Sequence, residues 1–231
     1  MVFLSFNSAI SPADELQEQD EAFEDAECLP ATLRLRNRWV VWEQMMTGGG
    51  KTLPYSESTK QVATCETVEE FWQTWDRLPQ PSELIANRMV HSVSDGGFNV
   101  VDALMIFCEG VAPQWEDQAN AEGGHFQFQF KGSSGGGQID EYWNNLVLGV
   151  IGATIEPLDM ITGVRLVDKL SGTRGAGNLR MEVWFNQLRD PHAVQQLQHN
   201  VERCIGTKTL EGRIGNAPRA EIKIHKLTRH Q

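Results

Sequence analysis

The residues best suited to chemistry lie mid-chain, in the stretch GVAPQWEDQAN, where Trp115 stands directly before Glu116 and Asp117. Tryptophan usually goes to cores, whereas proline and acids go to surfaces. Two arrangements reconcile them: a loop with its tryptophan tucked under, or a tryptophan held out for a ligand. The chain has 7 tryptophans in 231 residues. Trp72, Trp75 and Trp143 fall on helix stripes, and Trp39 and Trp42 sit in a strand. Trp115 and Trp184 flank loop or strand ends, where an indole can stack on a flat ligand. By spacing alone, core packing is the favoured reading for each of them.

Other chemical signals are weaker. GGGKT at 48–52 invites a phosphate-loop reading, but that motif needs a glycine at position 45, which is Met45, and Pro54 blocks a following helix. A mobile hairpin loop is the better reading. The six histidines (His91, His125, His192, His199, His225, His230) show neither a nucleophile elbow nor an i,i+4 pair, and read as surface or edge residues. The spacing yields no metal constellation, no cofactor site and no catalytic residue, so an enzyme is not expected.

The elements that must position these residues are legible by periodicity. NRWVVWEQ reads as a strand, with Trp39 and Val41 facing one way and Val40 and Trp42 the other. TVEEFWQTWDRL places Val68, Phe71, Trp72 and Trp75 on one helical stripe, and Thr67 with Glu70 has capping-box spacing. DALMIFCEG is a strand. GGHFQFQF alternates Phe126, Phe128 and Phe130 with glutamines, as expected of a strand with one wet face. Ile139, Trp143, Leu146, Val147, Val150 and Ile151 mark a second helix, and residues 163–169 and 179–186 a hairpin. A third helix opens on Asp190 and Pro191 and closes on Gly206, before a final strand in AEIKIHKL. Hairpin adjacencies favour antiparallel pairing with three helices on one face, an α+β fold in a single domain.

The formal net charge is −11, but residues 1–30 hold eight of the 31 acids and none of the 20 lysines and arginines. The remainder is close to balance, so an acidic pI does not exclude a nucleic-acid ligand. Residues 1–30 are expected to be a disordered acidic tail ahead of a domain over 31–231. Cys28, Cys65, Cys108 and Cys204 are widely spaced and form no CxxC, which argues for a reducing compartment and a cytoplasmic location. No apolar run is long enough to span a membrane, and Met1–Ile10 lacks the basic leader of a signal peptide.

NRWVVW, TVEEFW, PQWED, GGHF and EVWF occur in this order, and on these motifs the chain resembles the cap-binding translation initiation factor family of the 4E type. The resemblance runs in register over about residues 35–205, apart from two insertions. It implies a curved, mostly antiparallel sheet of about eight strands with three helices on its convex face. It also implies that a 7-methylguanine cap lies between two aromatic side chains on the concave side. Trp115 matches one of these, and Tyr55 stands where the second, usually tryptophan, is expected. Glu116 matches the carboxylate that accepts hydrogen bonds from the guanine edge, and Trp184 the ring that approaches the N7-methyl group. Methylation makes the base cationic, which adds a cation–π contribution of about 1–2 kcal/mol when desolvated and strengthens the bond to the carboxylate.

Lys169 and Arg180 match basic residues that hold the triphosphate, and Arg174 on the turn between them is a third candidate. On the convex side, Val68, Trp72, Leu148 and Gly152 match a surface that takes a short helical motif of a scaffold or 4E-binding protein. Leu33-Arg34 departs from a usual His-Pro pair. Asn144 stands where leucine is usual, and its amide needs a partner. Residues 85–101 read as an insertion or a long loop. The resemblance implies a monomeric, non-enzymatic protein that binds capped mRNA and recruits translation initiation machinery or a regulator. The alternative is a regulatory module of the same fold with weak cap binding, which sequesters a partner through its convex surface.

Overall fold

Phe126, Phe128 and Phe130 point to one side of their strand and His125, Gln127 and Gln129 to the other, and this two-residue period organises the whole molecule. A computed structural model describes residues 32–46, 58–86, 90–92, 98–131, 136–169, 178–208, 215 and 218–225. The acidic segment 1–30, Tyr55 and Arg174 lie outside the described residues. Thr32–Gln231 cluster as one compact unit.

Eight strands build one sheet: β1 (Arg34–Met46), β2 (Thr59–Thr67), β3 (Val90–Ser92), β4 (Phe98–Cys108), β5 (Gly124–Lys131), β6 (Ile161–Asp168), β7 (Asn178–Phe185) and β8 (Glu221–Ile224). Their order is β2-β1-β4-β6-β7-β5-β8, with β3 beside β4. Every pairing is antiparallel. Among the described residues, four α-helices accompany them: α1 (Val68–Trp75), α2 (Pro81–Ala86), α3 (Gly136–Ile151) and α4 (Pro191–Ile205).

All four helices lie against one face. Trp39 and Val41 of β1, Leu104 and Ile106 of β4, the β5 phenylalanines and Met181 and Val183 of β7 form one core with Phe71, Trp75, Leu84, Trp143 and Leu197. Phe71 stacks on Trp75 at 5.6 Å and Trp75 lies 6.3 Å from Trp143, joining α1 to α3 through rings. Local chemistry sets the helix ends. Thr67 accepts from the Glu70 amide, and Glu70 accepts from the Thr67 amide, which closes the capping box. Asp190 accepts from the His192 and Ala193 amides ahead of Pro191 in the first turn of α4. Among the described residues, no helix packs on the opposite face of the sheet.

The α+β class and the single antiparallel sheet agree with expectation. Several details do not. A fourth, six-residue helix, α2, follows Pro79, where a boundary alone was read; its Leu84 completes the core and the Asp140 carboxylate accepts from the Ser82 amide at 2.7 Å. β2 was not anticipated, because an edge strand of threonine, lysine and glutamine carries little apolar alternation. Residues 85–101 are no plain loop: Val90–Ser92 pair with Phe98–Val100, so β4 begins at Phe98. The face of β5 expected to be wet is polar but covered, with His125 and Gln127 buried and only Gln129 and Lys131 exposed.

Candidate functional site

The loop from Glu109 to Gly123 answers the question raised by a tryptophan beside two acids. Asp117 is a loop staple: its Oδ2 accepts from the Ala112 amide and its Oδ1 from the Ala119 amide, both at 2.9 Å. Asn120, fully buried, donates from Nδ2 to the carbonyls of Ala112 (2.9 Å) and Gln114 (3.0 Å). The Thr162 hydroxyl donates to Asn120 Oδ1 at 2.8 Å, tying the loop to β6. Gly123 is obligatory at the loop exit, where a Cβ would lie 1.8 Å from the Phe185 carbonyl oxygen. The loop is therefore held at both ends, while Trp115 between them is 47% exposed and Glu116 is exposed. An indole this open on a pinned loop is held out rather than tucked under.

Trp115 and Glu116 share a cleft with Pro113, Gln114, Arg165 and Trp184. Trp184 is 1% exposed, so core packing and cleft lining coincide in one residue. The edge of Phe107 meets it at 5.3 Å, His125 stacks on it at 5.5 Å, and its Nε1–H donates to Glu182 Oε2 at 3.0 Å. Trp184 is thus a fixed wall, not a ring free to sandwich a ligand.

Beyond that wall the open face carries a buried ionic floor. Glu182, 2% exposed, lies 3.8 Å from Arg165 and 3.8 Å from Arg180. Arg165 also donates to Gln44 Oε1 at 2.6 Å and Arg180 to Gln127 Oε1 at 3.1 Å. A buried carboxylate is tolerable only with such compensation, and Glu182 has two guanidiniums to supply it. A second cleft over it is lined by Trp115, His125, Arg180, Glu182 and Lys223. At the far end, burial pushes the Asp102 carboxyl above its ordinary range, opposed by the charges of Lys169 and Arg165. Trp184 and Arg180 are four residues apart on β7, about 13 Å of strand, so the open face runs from an aromatic end to a basic end.

His125 and His225 were read as surface or edge residues, and the structure corrects this: they are 5% and 3% exposed. His225 Nδ1 lies 2.9 Å from the Asn120 carbonyl and its Nε2 lies 3.0 Å from His125 Nδ1. Burial lowers both pKa values, that of His125 to about 4, so both rings are neutral near pH 7. Sequence reasoning also missed Asn120, Arg165 and Glu182. No local signal joins them: these side chains come from separate strands and one loop.

Of the residues singled out in the sequence, Trp115, Glu116 and Trp184 therefore meet in one cleft, Arg180 lines the adjoining one, and Lys169 is exposed beyond the end of β6. On the helix-covered side, Trp72 (44% exposed) and Leu148 (38%) are large apolar side chains that face solvent, and Gly152 is also exposed. The Val68 amide donates to the Leu33 carbonyl at 2.8 Å, which places Leu33, itself exposed, beside α1. Asn144 has found partners, donating to Gln80 Oε1 at 3.1 Å and to the Asp140 carbonyl at 2.8 Å. Among the described residues no group of histidine, cysteine and acidic side chains is arranged to hold a metal, and no helix is long and apolar enough to cross a membrane.

An antiparallel sheet thus carries helices on one face and, on the other, an aromatic, carboxylate-edged cleft whose shape and charge suit a flat, electron-poor ring. Residues 34–214 match the eukaryotic initiation factor 4E family, and the chain belongs to that family. It is 34% identical over 143 residues to eukaryotic translation initiation factor 4E of Saccharomyces cerevisiae, a match spanning 62% of this chain and 59% of that protein's length. It is 32% identical over 187 residues to initiation factor 4E-1 of Schizosaccharomyces pombe (81% of this chain, 71% of that one). Identity to the initiation factor NCBP of Oryza sativa is 27% over 190 residues (82% and 73%). Among solved structures, Ascaris suum eIF4E-3 in complex with an m2,2,7G cap superposes with a TM-score of 0.63 at 19% identity, covering 84% of this chain and 92% of that one. A schistosome eIF4E complexed with m7GpppA and 4E-BP gives 0.59 at 18% identity, covering 78% and 86%.

Proposed function

We propose that this protein binds the 7-methylguanosine cap of mRNA on its open face and recruits translation initiation machinery or a regulator through its helix-covered face. The observation that carries the reading is the half-exposed indole of Trp115 on a pinned loop, next to the exposed Glu116 carboxylate. A cationic purine stacked on that indole gains a cation–π contribution. Its edge N–H groups donate to Glu116 in charge-assisted bonds. Trp184 walls the cleft where the N7-methyl group would sit. Tyr55 is proposed as the second stacking ring.

The triphosphate would then extend from the aromatic end toward the basic one. Arg180 is already tethered to Gln127 and Glu182, so it presents a fixed guanidinium. Lys169 and Arg174 would add phosphate contacts, each of them screened by salt. On the other side of the sheet, Val68, Trp72, Leu148 and Gly152 would receive an amphipathic helix. The protein would act as a cytoplasmic monomer and carry out no chemical conversion.

Titration with m7GTP should quench the intrinsic tryptophan fluorescence at concentrations where GTP leaves it nearly unchanged. Equal quenching by both nucleotides would refute recognition of the methylated base.

A further inference from the structure

We propose that His225 is a positioning residue for the cap site, a brace that backs the inner face of the Trp115 indole. The proposal rests on reading the Trp115 cleft as the cap site. Trp115 needs such a support, because a ring on a loop keeps a stacking pose only if something packs behind it. Among the described residues, one ring stacks on Trp115: the His225 imidazole, 5.7 Å away and inclined by 15°. That is the parallel geometry of a favourable aromatic pair.

His225 is itself fixed on every side. Its amide donates to the Gly123 carbonyl at 3.1 Å, and its ring lies 4.4 Å from Trp184. The two ring nitrogens define a directed chain. The Asn120 carbonyl can only accept, so His225 Nδ1 carries a proton. Neutral His225 then has a lone pair on Nε2, which accepts from the Nδ1–H of His125. The brace therefore links the loop that carries Trp115, through β8, to the wall ring Trp184 on β7.

The charge state of the brace matters to a cationic ligand. Neutral imidazole behind the indole leaves the outer ring face attractive to a cation. Adding one proton can preserve the His225–His125 bond, because His125 can move its own proton to Nε2. It nevertheless places a positive charge on the inner face of Trp115, in competition with the methylated base on the outer one. Around the pair, the hydrogen bond to the Asn120 carbonyl and the carboxylates Glu182 and Glu116 favour the proton, while burial and the charges of Arg165 and Arg180 oppose it; Lys223, paired with Glu221, lines the same cleft. Acid should thus weaken cap binding through His225.

The test uses the full chain labelled with 5-fluorotryptophan, the Trp115 fluorine signal being assigned by its loss in Trp115→Phe. In ligand-free protein, His225→Ala should shift the Trp115 signal, whereas His225→Phe, which keeps a ring, should leave it close to its original position. In the unsubstituted protein that signal should move as the pH is lowered from 7 within the range where the protein stays folded, and in His225→Phe it should not move over the same range. The affinity for m7GTP should fall about tenfold in His225→Ala and recover to within about threefold in His225→Phe, the range expected for one aromatic pair. A Trp115 signal that ignores both the alanine substitution and pH would overturn the brace. So would m7GTP affinity in His225→Ala equal to that of the unsubstituted protein. The acid titration needs only the unsubstituted protein, the Trp115→Phe assignment and the His225→Phe control, so it decides the matter even if His225→Ala fails to fold. An unsubstituted protein that does not bind m7GTP would refute the cap reading on its own, and the contact between the rings would then stand or fall on the fluorine spectrum.

Discussion

On the helix-covered side of β5, Phe126 and Phe128 are fully buried among Phe185, Tyr142, Leu146 and their neighbours. Two residues along the opposite side of the same strand, His125 and Gln127 are almost as deeply buried, yet each is hydrogen-bonded to a polar partner. The first side is apolar, continuous and made from every helix and most strands. The second contains a small apolar cluster of Ala103, Met105, Phe107, Val167 and Trp184, edged by paired charges and imidazoles. The difference shows where stability and selectivity reside. Apolar packing is non-directional and tolerates substitution by shape. A floor of Glu182, Arg165, Arg180 and two neutral histidines is directional, because each hydrogen bond demands a donor facing an acceptor.

If that division holds, substitutions should separate cleanly by face. The largest effect should come from Trp143→Ala, which removes a fully buried ring from the helix-covered core. It should cost about 3–5 kcal/mol of unfolding free energy in urea denaturation, and a cost below about 1 kcal/mol would break the comparison. Glu116→Ala should lower m7GTP affinity by about 2 kcal/mol, roughly thirtyfold, the scale of hydrogen bonds to a charged group, with the urea midpoint unchanged. Calorimetry showing unaltered affinity would remove Glu116 from the cleft chemistry. Trp72→Ala should leave both the fold and m7GTP binding intact, because its side chain is 44% exposed. It should reduce the binding of a helical 4E-binding peptide by somewhat less, about 1–2 kcal/mol, as for an interface anchor. Loss of cap binding in this variant would show that the two faces are not independent.

The helices were the most legible elements. TVEEFW carries both halves of its capping box within four residues, and Asp190-Pro191 declares the start of α4. The stripe on α1 also held a distinction the structure makes visible: Phe71 and Trp75 enter the core, while Trp72 remains outside it. β2, β3 and α2 were not legible. They are an edge strand of mixed polarity, a three-residue ladder and a helix of six residues, each too short or too polar to impose a period. Trp115, Glu116 and Trp184 were identified by motif and do share a cleft. The roles of Asp117 and Asn120 in pinning the loop were not foreseen.

What the sequence determined by itself was local: helix ends, strand alternation, and a motif order that marks the family. Helix ends and alternation depend on residues a few positions apart, and the motif order is the succession of such local patterns along the chain. Only the tertiary structure decided that His125 and His225, one hundred residues apart, share a hydrogen bond behind Trp115, and that Arg165 and Arg180 flank Glu182. Strand order and register set those meetings, and register is fixed by the packing of the entire sheet rather than by any segment within it.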